Sequence, residues 1–222
     1  MDWFPLYNSL RIAFFASVIV YFTGIFLAYY VAKLPRVLKG ILDVFLTLPL
    51  VLPPTVVGYF LILIFGARTP IGMFLARFGI RIVMTWYGGI IAASVVSFPL
   101  MYRTARGAFE SFDETLAEAG RTLGLSDSYI FWHIRMPSCR QGILAGIVLS
   151  FARALGEYGA TSMLIGYTPG RTATISTTVY QLWRTDNEKE AFFWVMVNLA
   201  ISTIVLLAVN LLESKQKKGA GR

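Results

Sequence analysis

Residues 103–140 read RTARGAFESFDETLAEAGRTLGLSDSYIFWHIRMPSCR and lie between two long apolar runs. A connection between two helices needs only a few residues. This one has 38, with five arginines and five acids, so it is neutral overall. It also reads as structured. Phe112, Leu116, Ala119 and Leu123 are spaced 4, 3 and 4, one face of a helix. Gly124 follows as a C-terminal stop. Ser126 is placed to N-cap a second short helix holding Tyr129, Ile130, Phe131, Trp132, Ile134 and Met136, which Pro137 is expected to end. Two short helices with exposed aromatic groups form either a protrusion offered to a partner's groove or an amphipathic hairpin lying on lipid.

The surroundings of this loop set its environment. Of the 222 residues, 56% are hydrophobic and 14% charged, against roughly 25% charged in an average globular chain. The mean hydropathy is +0.64. A chain of this size cannot hide that much apolar surface in one core and still cover itself with polar groups, so lipid is the solvent. A spanning helix needs about 20 apolar residues. Ile12–Ala32, Val44–Ala67, Ile82–Tyr102 and Ala191–Leu212 are 21, 24, 21 and 22 residues long without an internal charge. Residues 141–165 form a fifth candidate, interrupted by Arg153 and Glu157. The expected fold is an all-α membrane protein, one transmembrane domain over 1–222, with about five spans and at most six. The first run is too long, and its start too little basic, for a cleavable signal.

Orientation follows the basic residues. The 33–40 loop, the 103–140 loop and the tail hold twelve, including Lys33, Arg36, Lys215, Lys217, Lys218 and Arg222, and the other side holds seven. This predicts an N-terminus outside and a cytoplasmic C-terminus. Trp3, Trp86, Trp183 and Trp194 fall near the outer boundary, where an interfacial aromatic belt belongs. Thr69–Arg81 is expected as a short interfacial helix and 168–190 as a polar outer loop. Most of the +8 net charge is thus topology rather than an anion site, and basic residues spread along membrane boundaries argue against nucleic acid.

Glu118-Ala119-Gly120, three residues, Gly124, nine residues, then Ile134-Arg135-Met136-Pro137 resembles E-A-A-x3-G-x9-I-x-L-P, the coupling-loop motif of ABC importer permeases of the type I, methionine-permease-like fold. Every spacing matches. Gly120 for alanine and Met136 for leucine depart from the letters at packing positions. The resemblance implies that 108–137 docks in a cleft of a cytoplasmic ATPase. Glu118 would cap or pair at the joint, and the aromatic stretch Tyr129, Phe131 and Trp132 would fill the groove. It also implies a homodimer with two ATPase subunits, which carry ATP and magnesium, and an extracytoplasmic binding protein. The chain has no G-x-x-x-x-G-K-[ST] phosphate loop and no cofactor motif of its own.

Further stretches resemble molybdate permeases: Thr47–Tyr59 (TLPLVLPPTVVGY), Ser97–Met101 (SFPLM) and Phe151–Thr161 (FARALGEYGAT). Together these cover nearly the whole chain. Sulfate permeases share an Ala-Arg-Ala-x-Gly-Glu-Tyr-Gly core, while the Leu-Pro-Leu-Val-Leu-Pro-Pro run favours molybdate or tungstate. The resemblance therefore implies an importer of these oxyanions, with sulfate or thiosulfate as the alternative. A secondary transporter or channel explains neither the structured loop nor the absence of an inverted repeat.

Arg153 and Glu157 are four apart and share a helix face, with Ser150 and Thr161 extending the stripe. Charges inside a membrane cost roughly 2.5–3.5 kcal/mol apiece and must face protein or water. Two readings follow: Arg153 lines the route of an oxyanion, or the two form a structural pair. A full unpaired charge would trap an anion that conduction requires to leave, which favours the pair. Pro49, Pro53 and Pro54 remove helix donors within one span. They either line the path and gate or form a static kink. The G-x-x-x-G pair Gly142 and Gly146 suits close helix packing. A lone histidine, His133, and a lone cysteine, Cys139, leave no disulfide, thiolate metal site or catalytic pair.

Overall fold

The computed structural model describes residues 2–219, with side chains through residue 207. The tail basic residues Lys215, Lys217, Lys218 and Arg222 and the last turns of the 191–212 span lie outside the described side chains. In chain order the helices are α1 (Phe4–Ala32), α2 (Arg36–Val51), α3 (Pro54–Phe65), α4 (Pro70–Arg77), α5 (Trp86–Glu110), α6 (Glu114–Thr122), α7 (Asp127–Ile130), a π-helical turn (Phe131–Arg135), α8 (Met136–Ser138), α9 (Arg140–Leu155), α10 (Gly159–Ile165), α11 (Ile175–Arg184) and α12 (Glu188–Gly219).

The centre is α5, flanked by α1 and α9. Its packing uses small residues: Ala13 and Ala16 of α1, Ala92 and Ala93 of α5 and Ala154 of α9 are buried together with Leu164 and Ile165 of α10. Lipid offers no hydrophobic drive between helices, so close approach of backbones supplies the contact. Gly142 and Gly146 follow this rule, since a Cβ at either position would collide with Ala108 or Thr104 of α5. A second buried cluster at the other end joins Val20, Ala28 and Val31 of α1 and Met101, Tyr102 and Phe109 of α5 to Phe112, Ala117 and Ile130 of the 103–140 segment. Outward, Phe14, Phe15, Phe22 and Phe26 of α1 are exposed apolar surface.

Several expected boundaries move. The 44–67 stretch is not one helix: α2 and α3 meet at 110°. Pro49 is absorbed within α2, but Leu52 (φ −69°, ψ 140°) and Pro53 (φ −53°, ψ 134°) are extended, and Pro54 opens α3. A residue before proline is pushed out of the helical region, and two successive prolines impose this twice. The 141–165 stretch is likewise two helices, α9 and α10, bent by 54° at Gly156–Tyr158. By length and composition, Phe4–Ala32 and Glu188–Leu207 suffice to cross a membrane, and each bent pair meets the same length and hydropathy when its two helices are taken together. The central α5 is long enough, but its Gly, Ser and Ala residues, which close packing requires, lower its hydropathy. It starts at Trp86 rather than Ile82 and runs to Glu110, so the first eight residues of the quoted connection are helix.

On the side expected to be outer, α4 is the short helix anticipated within 69–81, its first turn capped by the Thr69 hydroxyl accepting from Gly72 N at 3.1 Å. The 168–190 segment is not an open loop. It contains α11, whose Thr174/Thr177 capping box is the local signal for a helix start. Asn8 Nδ2 donates to the carbonyls of Thr172 and Ala173, and Ser9 Oγ accepts from Ile175 N at 2.9 Å, which sews this segment to the start of α1.

Candidate coupling loop and broken-helix site

The loop is built on an ion pair between a buried arginine and a half-exposed glutamate. Glu114, in the first turn of α6, takes both arms of Arg135 from the π-helical turn: Nη1 to Oε1 at 2.7 Å and Nη2 to Oε2 at 2.6 Å. Arg135 is only 4% exposed and lies over the Phe112 ring at 4.4 Å. The guanidinium holds the Glu114 carboxyl below the usual carboxylate range. Sequence spacing does not reveal this pair, because it links positions 21 apart across a turn. The turn itself is as expected. Gly124 adopts φ +78°, the left-handed region glycine tolerates, and the Ser126 hydroxyl caps α7 by accepting from Tyr129 N at 3.3 Å. Asp113 caps α6 in the same way, accepting from Thr115 N at 3.0 Å.

Four readings of this loop need correction. The stripe Phe112, Leu116, Ala119 and Leu123 divides: Phe112 turns into the core, while Leu116, Ala119 and Leu123 face out and Ala117 and Gly120 face in. Pro137 does not end the helix. The π turn widens the hydrogen-bond ladder just ahead of it, so a residue without an N–H fits and helix continues through Met136–Ser138. Within the chain, the described residues give the exposed Glu118 carboxylate no partner, and it is Glu114 that holds the two helices of the loop together. The aromatic stretch is split as well. Phe131 packs inward, 4.7 Å from the Tyr29 ring, whereas Tyr129 and Trp132 are exposed. Gly120 and Ile134 come together as motif neighbours: a Cβ on Gly120 would meet Ile130 at 3.2 Å and Ile134 at 3.4 Å. An alanine there would press on both isoleucine side chains.

The second constellation lies where the two broken spans meet. Gly159 stands against Pro54 and Thr55, and Gly58 against the backbone of Ala160, so closely that a Cβ on either would approach within 3 Å. Glu157 sits in the α9–α10 break and is 3% exposed. Its Oε1 accepts from Ala160 N at 2.7 Å and so caps α10. Arg153 Nη1 stands 2.6 Å from Oε2, in ionic contact but outside hydrogen-bond alignment. The expected stripe is therefore not one helix face. Arg153 and Glu157 do pair, but Ser150 bonds back to the Ile147 carbonyl at 2.9 Å and Thr161 belongs to α10. Pro53 and Pro54 lie at the junction. Pro49 instead lines a separate hollow of about 320 Å³ with Thr23 and Ser94.

Sequence reasoning missed one polar cluster. The Tyr102 hydroxyl donates to Asp43 Oδ1 at 2.5 Å, Arg106 pairs with Asp43, and Lys39 Nζ is 2.9 Å from Glu110 Oε1. These contacts hold α2, which buries no side chain fully, onto α5. The only hint was Asp43 at the edge of the charge-free run. Among the described residues no group of His, Cys, Asp and Glu suits a metal ion.

An all-helical bundle with two broken spans and a loop rooted beneath its central helix defines a membrane transport component. The chain belongs to the family of binding-protein-dependent transport system inner membrane components, whose model matches residues 21–218. It is 40% identical over 223 residues to the molybdenum transport system permease protein ModB of Escherichia coli K12, covering 100% of this chain and 97% of that protein. It is 30% identical to the sulfate transport system permease protein CysT of Salmonella typhimurium, over 93% of this chain and 75% of that one. In fold it is similar to the inward-facing MetNI methionine ABC transporter, with a TM-score of 0.73 at 13% identity over 95% of this chain and 94% of that one. The architecture is that of type I ABC importer permeases, and the chain is a permease subunit without an ATPase site of its own.

Proposed function

We propose that the chain translocates molybdate or tungstate across the cytoplasmic membrane as a homodimer driven by two ABC ATPase subunits, with the N-terminus outside and the C-terminus in the cytoplasm. The observation that carries the reading is the loop. The Glu114–Arg135 pair and the Ile130 contact make it a rigid body rooted on α5, while Leu116, Ala119 and Leu123 form an outward apolar stripe suited to a partner's cleft. ATP binding closes the ATPases and draws the loops together; α5 carries that displacement into the bundle. One set of spans cannot surround a path, so a second copy completes it, and the α2–α3 and α9–α10 breaks are the segments placed to line and gate it. A substrate-loaded binding protein docks on the outer segments 66–81 and 166–190. Arg153, tied to Glu157, offers an oxyanion only a partly compensated charge, which suits passage rather than storage.

Substrate choice is supported by whole-length similarity to a molybdenum permease, closer than that to a sulfate permease, and by the Thr47–Tyr59 and Phe151–Thr161 runs. Competition tests it. Labelled molybdate uptake by cells carrying the complete transporter should be suppressed by equimolar tungstate and little affected by equimolar sulfate. Suppression by sulfate instead assigns the chain to the sulfate class.

A further inference from the structure

Where the sequence sends Trp132 to an ATPase cleft, the structure gives it a different neighbour. A groove of about 540 Å³ runs between α1 and the 131–136 turn, lined by Tyr21, Phe22, Ile25, Phe26, Trp132 and Met136 among others, with almost no polar surface. The Thr23 hydroxyl on its wall already donates to the Ile19 carbonyl at 2.7 Å, so that group asks the occupant for no hydrogen bond. We infer that it takes an acyl chain of an anionic phospholipid from the cytoplasmic leaflet.

Depth supports this. At 1.5 Å per residue, positions 21–27 lie roughly 8–17 Å from the Ala32 end of α1. That is the inner half of a hydrocarbon core about 30 Å thick. The rim is apolar and open: Phe22 is 64% exposed, Phe26 59% and Trp132 60%. Phe22, Phe26, Tyr30 and Lys33 are spaced 4, 4 and 3 along α1, one stripe that leads from the groove to a cation. Lys33 makes no ion pair among the described residues; its Nζ sits 3.9 Å from the Tyr29 ring centre and 2.5 Å from that hydroxyl. Arg36 follows at the start of α2. An apolar track that ends in basic residues at the interface matches a lipid tail below a phosphate. Because Trp132 belongs to the coupling loop, a lipid held there touches the element that moves.

The inference rests on the orientation proposed above, and the two fail separately: a thiol placed at Lys33 and reached only from outside reverses the leaflet without touching the groove. The permease–ATPase complex is reconstituted in phosphatidylcholine vesicles containing phosphatidylglycerol, a trace of it carrying a mid-chain photoreactive group. After irradiation, label is expected on both walls, residues 21–27 and 131–136. Thr23→Trp, which fills the groove, should abolish label on 131–136 while the ATPase stays bound. Lys33→Glu, an exposed change that leaves folding intact, should cut labelling by phosphatidylglycerol but not by a phosphatidylcholine probe. Label confined to α1, or cross-links between two permease copies through these residues, overturns the proposal.

Discussion

At Leu52–Pro53 the chain turns by 110°, and at Gly156–Tyr158 by 54°. The sharper turn is made by covalent chemistry: two prolines withhold donors and hold the backbone extended, and no side chain is needed to keep it open. The gentler one lacks any such constraint. There a buried carboxylate stands in the gap, capping α10 with one oxygen and holding Arg153 with the other. The first break is written into the backbone. The second depends on the contacts of one side chain, Glu157. The two meet through Gly58 and Gly159, so whatever moves one presses on the other.

The contact between the breaks should be the most sensitive point. Gly58→Leu and Gly159→Leu drive a side chain into backbone, and overpacking of this kind costs at least about 1–3 kcal/mol. Both variants should fail to yield folded complex in mild detergent; normal yield and melting would separate the two breaks. The next effect distinguishes them. Glu157→Ala leaves the buried Ala160 amide without an acceptor, a loss of about 1–3 kcal/mol, and frees Arg153, whose partial exposure (29%) softens the penalty. Glu157→Gln keeps an acceptor and should fall between wild type and alanine in melting temperature and uptake. Pro53→Ala should cost less than either, since Pro54 and the packing of α3 on α10 preserve the bend. A Pro53→Ala loss larger than that of Glu157→Ala would invert the comparison.

A smaller effect is expected at the loop. The Glu114 side chain is 56% exposed, so its pair with Arg135 contributes no more than about 1 kcal/mol. Arg135 holds the Glu114 carboxyl below its ordinary value of 4.5. The stabilisation is therefore fully present above that value and is lost as pH falls through the depressed one. Glu114→Gln should make the 114–138 segment more open to protease at pH 7, with the gap to wild type closing under strong acid.

The long apolar runs, the turn at Gly124 and the cap at Ser126 are legible because each is a local signal. So is the Leu52–Pro53 break, since proline acts on its own backbone. What escapes the sequence is set by distance. The Glu114–Arg135 pair, the Asp43–Tyr102–Arg106 cluster and the sewing of Thr172–Ile175 to Asn8 and Ser9 join residues far apart in the chain, and no periodicity encodes them. The inward turn of Phe112 and Phe131 escapes for the same reason: helical spacing says which residues share a face, but only the neighbouring Tyr29 and Phe109 decide which face is covered. The helix at Ile175–Arg184 does carry a local signal, the capping-box spacing of Thr174 and Thr177.

The role of the loop has one direct test. Glu118 is exposed and unpartnered among the described residues, so Glu118→Arg should leave folding unchanged while placing a positive charge on the face we propose for the ATPase. In proteoliposomes with the ATPase and binding protein supplied, ATP-driven molybdate uptake by this variant should fall to background. Uptake at the wild-type rate would show that the loop does not carry the coupling.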